Sequence, residues 1–168
     1  VDVDGAVNFA ADVTYADGAD IITASAGTSN FRAGVNAGNS IASGGNYNVC
    51  VGDEAGTALT TGDSNVAVGY QALDACTTTG NNVAVGKSAL TACVDGAYNI
   101  GIGSSALAAA VDVSANVAIG QSALAVCTGS SNTAIGYTAL ASNTSAIDNV
   151  AVGVYALTAN TTGTDNVA

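Results

Sequence analysis

The sequence predicts an all-β protein, a parallel β-solenoid or β-roll of about eight 17-residue coils. One observation is a segment that recurs almost unchanged, NVAVGYQAL at 65–73 and NVAVGKSAL at 82–90. Within each copy, β-branched residues alternate with smaller ones, a pattern typical of short strands. A glycine follows each such segment and indicates a corner, where the backbone adopts angles that a side chain disfavours.

An asparagine begins each repeat unit. The spacing is constant from Asn48 onward except between Asn116 and Asn132, where it is one residue shorter, and an earlier unit begins at Asn30, one residue further away than the regular spacing. The regular units begin at Asn48, Asn65, Asn82, Asn99, Asn116, Asn132, Asn149 and Asn166. Because stacked coils lie about 4.8 Å apart, we expect these amides to hydrogen-bond to one another along the axis and to cap the turns.

Each unit also contributes one strand of alternating character. The first and third strand positions carry mainly Val and Ile, and the middle position is small in every unit except at Arg32. We expect the Val and Ile side chains to form the apolar face of the coil and the small residues to point to the opposite face, where another layer approaches closely. The sequence therefore predicts a strand buried on both sides, with the small residues facing a partner chain.

The glycine after each strand is the predicted corner of the coil. In the regular units these glycines are Gly52, Gly69, Gly86, Gly103, Gly120, Gly136 and Gly153. An Ala-Leu pair follows three residues later and is predicted to be a second inward anchor. Gly38 and Gly56 stand where later units have the leucine, so we expect the first coils to be narrower.

Composition and charge limit the function. The formal net charge is -11, with only Arg32 and Lys87 as cations, which argues against binding to nucleic acid or anionic lipid. No segment approaches the roughly 20 apolar residues of a membrane span. Residues 1–29 depart from the period and are predicted to be an irregular β lead-in, whereas residues 30–168 are expected to form the repeat shaft and to be part of a longer polypeptide.

Catalytic chemistry is poorly represented. Since the chain has no histidine, Ser-His-Asp and Cys-His mechanisms are excluded, and we expect no enzyme, catalytic residue, metal site or cofactor. Cys76 and Cys93 occupy matching positions one unit apart, which leaves both a disulfide and buried free thiols open. The segments DVDG at 2–5 and YADGAD at 15–20 resemble pieces of calcium loops but lack the full ligand series.

The positions that vary from unit to unit are the candidate contact surface. They follow the glycine corners, where an invariant frame would present variable tips to a binding partner. Solvent-facing spacers are the alternative interpretation. The candidate residues are Tyr70, Gln71, Lys87, Gln121, Tyr137 and Tyr155.

The units NVAVGYQAL, NVAVGKSAL and NTAIGYTAL, with TTGN-type turns, resemble repeats of bacteriophage tail-fibre and appendage proteins. The NVAIG core is also similar to head repeats of trimeric autotransporter adhesins. The resemblance covers about residues 30–168 and implies a homotrimeric fibre on the virion surface, bound to other virion proteins and to a host glycan or protein receptor. The alternatives are a bacterial surface adhesin and a glycan-binding or glycan-cleaving β-helix, for which Asp53 and Glu54 are the only adjacent acidic pair in the repeats.

Overall fold

The computed structural model describes residues 26–168, which form an all-β structure without a helix. Eight strands of three residues make one parallel sheet in chain order. They are β1 (Phe31–Ala33), β2 (Val49–Val51), β3 (Val66–Val68), β4 (Val83–Val85), β5 (Ile100–Ile102), β6 (Val117–Ile119), β7 (Thr133–Ile135) and β8 (Val150–Val152). No helix capable of crossing a membrane is found within this range.

Each strand pairs with the equivalent strand of the next unit. Val66 lies beside Val83, and Ala67 beside Ala84. The same register holds in all seven pairings, so residues one unit apart in sequence become neighbours in space. The predicted parallel β-solenoid, with one repeat unit per coil, is confirmed.

Hydrogen bonds between coils continue beyond the short strands and around the corner. The Gly86 and Ser88 amides donate to Val68 O and Tyr70 O of the preceding coil, at 2.8 and 2.9 Å. Leu90 N then donates to Ala106 O of the following coil at 2.9 Å. Because its amides donate to carbonyls of both the preceding and the following coil, an internal coil depends on its two neighbours for backbone hydrogen bonding.

The predicted facing of the strands is wrong. The middle residues, such as Ala67, Ala84 and Ala118, are fully buried inside their own coil. The first and third residues point outward and are half-buried or exposed. We call the outward surface formed by the first and third residues of β2–β8 the strand face. The small-residue column therefore faces the interior of its own chain and gives no indication of a partner.

The interior is narrow because large residues from the opposite side of the coil already fill it. Leu90 is fully buried, and a Cβ added to Gly101 in the middle of β5 would lie only 3.2 Å from Leu90 Cγ. A strand residue larger than alanine would be crowded there. This packing explains why the small side chains of each strand point inward and the β-branched ones outward.

The first two coils keep their apolar filling by an exchange of positions. Gly56 stands where Leu73 stands in the next coil, and Leu59, three residues further on, is fully buried. A Cβ on Gly56 would lie 2.8 Å from Leu59 Cδ1, so the two side chains occupy adjoining space. Gly38 and the buried Ile41 show the same exchange. These coils therefore retain a large aliphatic side chain, three residues later than in the other coils. The expectation of narrower first coils assumed that this side chain was missing.

The one short and one long interval are both absorbed in the turn before the asparagine. Asn116 reaches Gly129, 13 residues on, and Asn30 reaches Gly45, 15 residues on, whereas Asn82 reaches Gly96, 14 residues on. The strands on either side of each interval keep their register. A change of one residue in the turn is therefore compatible with the stack.

The corner glycines allow a test of coil stacking. Gly86 has φ +130°, and an added Cβ would lie 2.7 Å from the carbonyl carbon of Gly103. Gly153 has a similar φ of +140°, but the nearest atom to its Cβ is 3.8 Å away. We expect Gly86→Ala to lower the free energy of unfolding by about 2–4 kcal/mol, and Gly153→Ala by about 1–2 kcal/mol. Urea unfolding followed by circular dichroism would measure both, and equal losses would contradict a steric role for stacking.

The exchange of positions between early and late coils predicts a compensating pair of substitutions. Leu90→Gly should cost about 2–4 kcal/mol of unfolding free energy, because the lost burial outweighs the relief of its φ of +51°. Adding Cys93→Leu places the large side chain where Leu59 has it, and should restore at least half of the loss. Chemical denaturation of the two variants, with Cys93→Leu alone as control, tests this, and additive losses would exclude the exchange.

Candidate functional site

The asparagine column forms a continuous ladder inside the solenoid. Asn65, Asn82 and Asn99 are fully buried, as are the other regular members from Asn48 to Asn149. The backbone amide of each donates to Oδ1 of the asparagine one coil earlier, for example Asn82 N to Asn65 Oδ1 at 3.1 Å. In several coils Nδ2 donates to the same oxygen, as from Asn149 to Asn132 at 3.1 Å. These are the axial amide contacts that the sequence predicts.

The same side chains also cap the turns. Asn99 Nδ2 donates to Val113 O at 2.7 Å, and Asn82 Nδ2 donates to Gly96 O at 2.9 Å. Since an amide carries both a donor and an acceptor, one buried side chain satisfies backbone groups of two coils. The column stabilises the coil and offers no open position for a ligand.

The four cysteines are free, buried thiols. Cys93 Sγ donates to Gly96 O at 3.3 Å, much as Asn143 Nδ2 donates to Ala146 O in the equivalent position. Ala110 occupies the same column, is also fully buried and has no such donor. Cys76, Cys93 and Cys127 therefore act as small fillers that also bond to the turn, whereas Cys50 fills the middle of β2. Buried free thiols are one of the two interpretations left open by the sequence.

Burial and the Cys76–Cys93 hydrogen bond shift the pKa values of these thiols. It raises the pKa of Cys50 to about 11, against a smaller opposing effect of the Arg32 charge. A hydrogen bond between Cys76 and Cys93 raises the pKa of Cys93, an effect that burial reinforces, and the same bond lowers the pKa of Cys76 to about 7. These thiols lie inside the packed coil, so the low pKa of Cys76 does not make it an accessible nucleophile.

The predicted contact residues lie on the outside of the solenoid. Tyr70, Tyr137 and Tyr155 are 44%, 42% and 61% exposed. Lys87 and Gln121 are exposed, whereas Gln71 is half-buried and its Nε2 donates to Glu54 Oε2 at 2.8 Å. We call the residues directly after the corner glycines the corner column. All of its members in the regular coils are exposed: Asp53, Tyr70, Lys87, Ser104, Gln121, Tyr137 and Val154.

Stacking brings some of these contact residues together and keeps others apart. Tyr137 and Tyr155, from neighbouring coils, form an edge-to-face pair with ring centroids 5.4 Å apart. Tyr70 lies four strands before Tyr137, so it belongs to a separate part of the same side of the rod. The corner column and the residues that follow it can therefore present several small contacts along the rod.

Sequence reasoning missed two features of the surface and corner. The strand face leaves large apolar groups exposed, including Ile102, Ile135 and Val152 at 38%, 38% and 58%. Left-handed backbone also occurs at residues other than glycine, among them Ser88 and Leu90. Gly38 and Gly56, which stand where later coils have leucine, were the available signal for the second feature.

The described residues show little that could hold a metal. Residues 26–168 contain no group of three or more His, Cys, Asp or Glu side chains able to bind a metal ion. The two calcium-like segments, DVDG and YADGAD, and most of the predicted lead-in 1–29 lie outside the described residues.

In comparisons with known proteins, no family model, curated protein or solved structure matches the chain.

The asparagine ladder should make a large contribution to stability. Asn99→Ala would remove the acceptor for Asn116 N and the donor to Val113 O, and leave two buried backbone groups unsatisfied. We expect the free energy of unfolding to fall by about 2–5 kcal/mol. The exposed Asn39 is the control, since Asn39→Ala should change the value by less than about 0.5 kcal/mol. A similar small effect in both variants, measured by urea unfolding, would rule out a structural role for the ladder.

Proposed function

We propose that this chain is a structural segment of a virus-particle fibre, such as a phage tail fibre or appendage shaft, that displays side chains for host-surface attachment. The observation that carries the proposal is the corner column. Its residues are exposed in every regular coil and differ widely, from Asp53 to Tyr70 to Lys87, on a frame whose neighbouring glycines are constant. Such an arrangement suits recognition, because contact residues can change without altering the scaffold.

The rest of the coil supports a mechanical role. Its interior is filled by Ala, Leu, Asn and Cys side chains, and its backbone bonds run from coil to coil. A rod of this kind extends by adding units, since each coil provides the same bonding edge to the next. The likeness of the repeats to tail-fibre sequences adds to this support, and it is the basis for proposing a homotrimer on the virion surface that has no catalytic activity.

The proposed partners are other virion proteins and a glycan or protein on the host surface. Exposed tyrosines favour this kind of contact, because an aromatic ring packs on sugars or apolar groups while its hydroxyl hydrogen-bonds. The strong negative charge is consistent with a long, soluble surface structure.

Competition for virus adsorption tests the proposal. The purified chain should reduce adsorption of the source virus to its host cells, and the triple variant Tyr70→Ser, Tyr137→Ser, Tyr155→Ser should be at least about tenfold weaker as a competitor. Serine already occurs in both columns concerned, at Ser104 and Ser88, so the fold should tolerate these changes.

Val126→Ser is the matched control, since Val126 is 44% exposed, like Tyr70, but lies outside the corner column. It should compete like the wild type. Immunogold labelling with an antibody against the chain should mark the virus particles. Labelling confined to the bacterial envelope would contradict the virion fibre and favour a bacterial adhesin. Equal competition by all variants would contradict recognition through the exposed tyrosines and favour a spacer.

A further inference from the structure

The strand face is the most uniform exposed surface of the chain. The first and third residues of β2–β8 are all Val or Ile except Thr133, and none is charged. Side chains at its centre remain accessible, with Ile119 at 36% and Ile135 at 38% exposure. An apolar strip that follows seven stacked strands is unusual on an isolated soluble chain and marks an interaction surface.

Further exposed apolar groups of the described residues lie beside this face or extend it. Tyr47 and Tyr98, 63% and 65% exposed, lie two residues before the first residue of β2 and β5. Beyond β8, Val167 pairs with Val150 and so extends the column formed by the first residue of each strand. The strip therefore has an apolar centre, with two tyrosines on a margin that is otherwise polar or small. An apolar core with a polar rim is the usual composition of protein interfaces.

We propose that the strand face packs against the strand face of other copies of this chain, with the solenoid axes side by side. The contact itself is argued from the strand face alone. Only the expected number of copies, a trimer, rests on the proposed function. The occupant must be apolar, uncharged and straight over the same length, and the chain itself provides such a surface. Two copies also share one coil spacing, so the side chains of one can enter the gaps between coils of the other along the whole contact.

The area of the strand face supports self-association, and charge limits which face can be used. The net charge of -11 opposes association in general, so close approach costs least on a surface without charged side chains. A strip about 14 Å wide and seven coils of about 4.8 Å long covers roughly 500 Å² per chain. A pair of chains would thus bury about 1,000 Å², the lower range of specific interfaces, and each further coil would enlarge it.

The test is the molar mass of the purified 168-residue chain at about 100 μM, measured by light scattering after size exclusion. We expect the wild type to have a multiple of the 16.0 kDa chain mass. Ile119→Asp should raise the dissociation constant at least about 100-fold and yield the single chain, because each copy would bury an unpaired carboxylate. Val126→Asp, which changes an exposed valine outside the strand face, should leave the mass of the oligomer unchanged. Circular dichroism checks that both variants remain folded.

The outcomes separate this inference from the proposed function. A wild type that stays a single chain, or an oligomer that folded Ile119→Asp leaves intact, overturns the strand-face contact. A two-chain species that Ile119→Asp dissociates supports the contact and contradicts the homotrimer. Failure of the chain to compete for virus adsorption, with the oligomer present and sensitive to Ile119→Asp, would leave the contact standing and count against the fibre's role in attachment.

Discussion

In-register stacking of coils is the constraint on which the rest of the structure depends. Each residue lies beside its counterpart one unit away, at a distance of about 4.8 Å. A residue type that recurs in the interior must therefore pack against a copy of itself. Asparagine satisfies this condition in the interior because its amide donates and accepts at once. A buried column of Asp or Lys would place like charges next to one another without compensation. The polar core is therefore built from an uncharged side chain that can pair with itself.

The period, the corners and the asparagine ladder could be predicted because each leaves a distinct residue type at a fixed interval. The facing of the strands could not be read in the same way. Both sides of β2–β8 are uncharged, and by hydrophobicity alone the larger Val and Ile residues would be assigned to the core. What decides the facing is interior width, which Leu90 and its counterparts across the coil have already taken up. The space available to an inward-pointing strand residue depends on residues elsewhere in the coil. The residue pattern of the strand alone therefore does not reveal it.

The exposure of the candidate contact residues was easier to predict than the packing behind them. Tyr70, Lys87 and Tyr137 vary among units, and variable positions of a stacked repeat must lie where no neighbour constrains them. The left-handed conformation of Leu90 is signalled only indirectly, by Gly38 and Gly56 in the same column of the first two coils. Its backbone angles follow from turning the chain within a few residues while both neighbouring coils hold the amides. Here the demands of the fold override the preference of a bulky residue for other conformations.

Two exposed surfaces of the same rod differ in how far they vary, and this difference calls for an explanation. The corner column changes in charge and size from coil to coil, whereas the strand face keeps Val or Ile although it is accessible to water. Strand propensity explains why these positions are β-branched, but it would be satisfied equally by threonine. Within β2–β8 the strand face has threonine at one position only, Thr133. A preference for apolar over polar β-branched residues is what the proposed contact between strand faces would require along the axis. Local contacts, by contrast, leave each corner residue free to differ from the next.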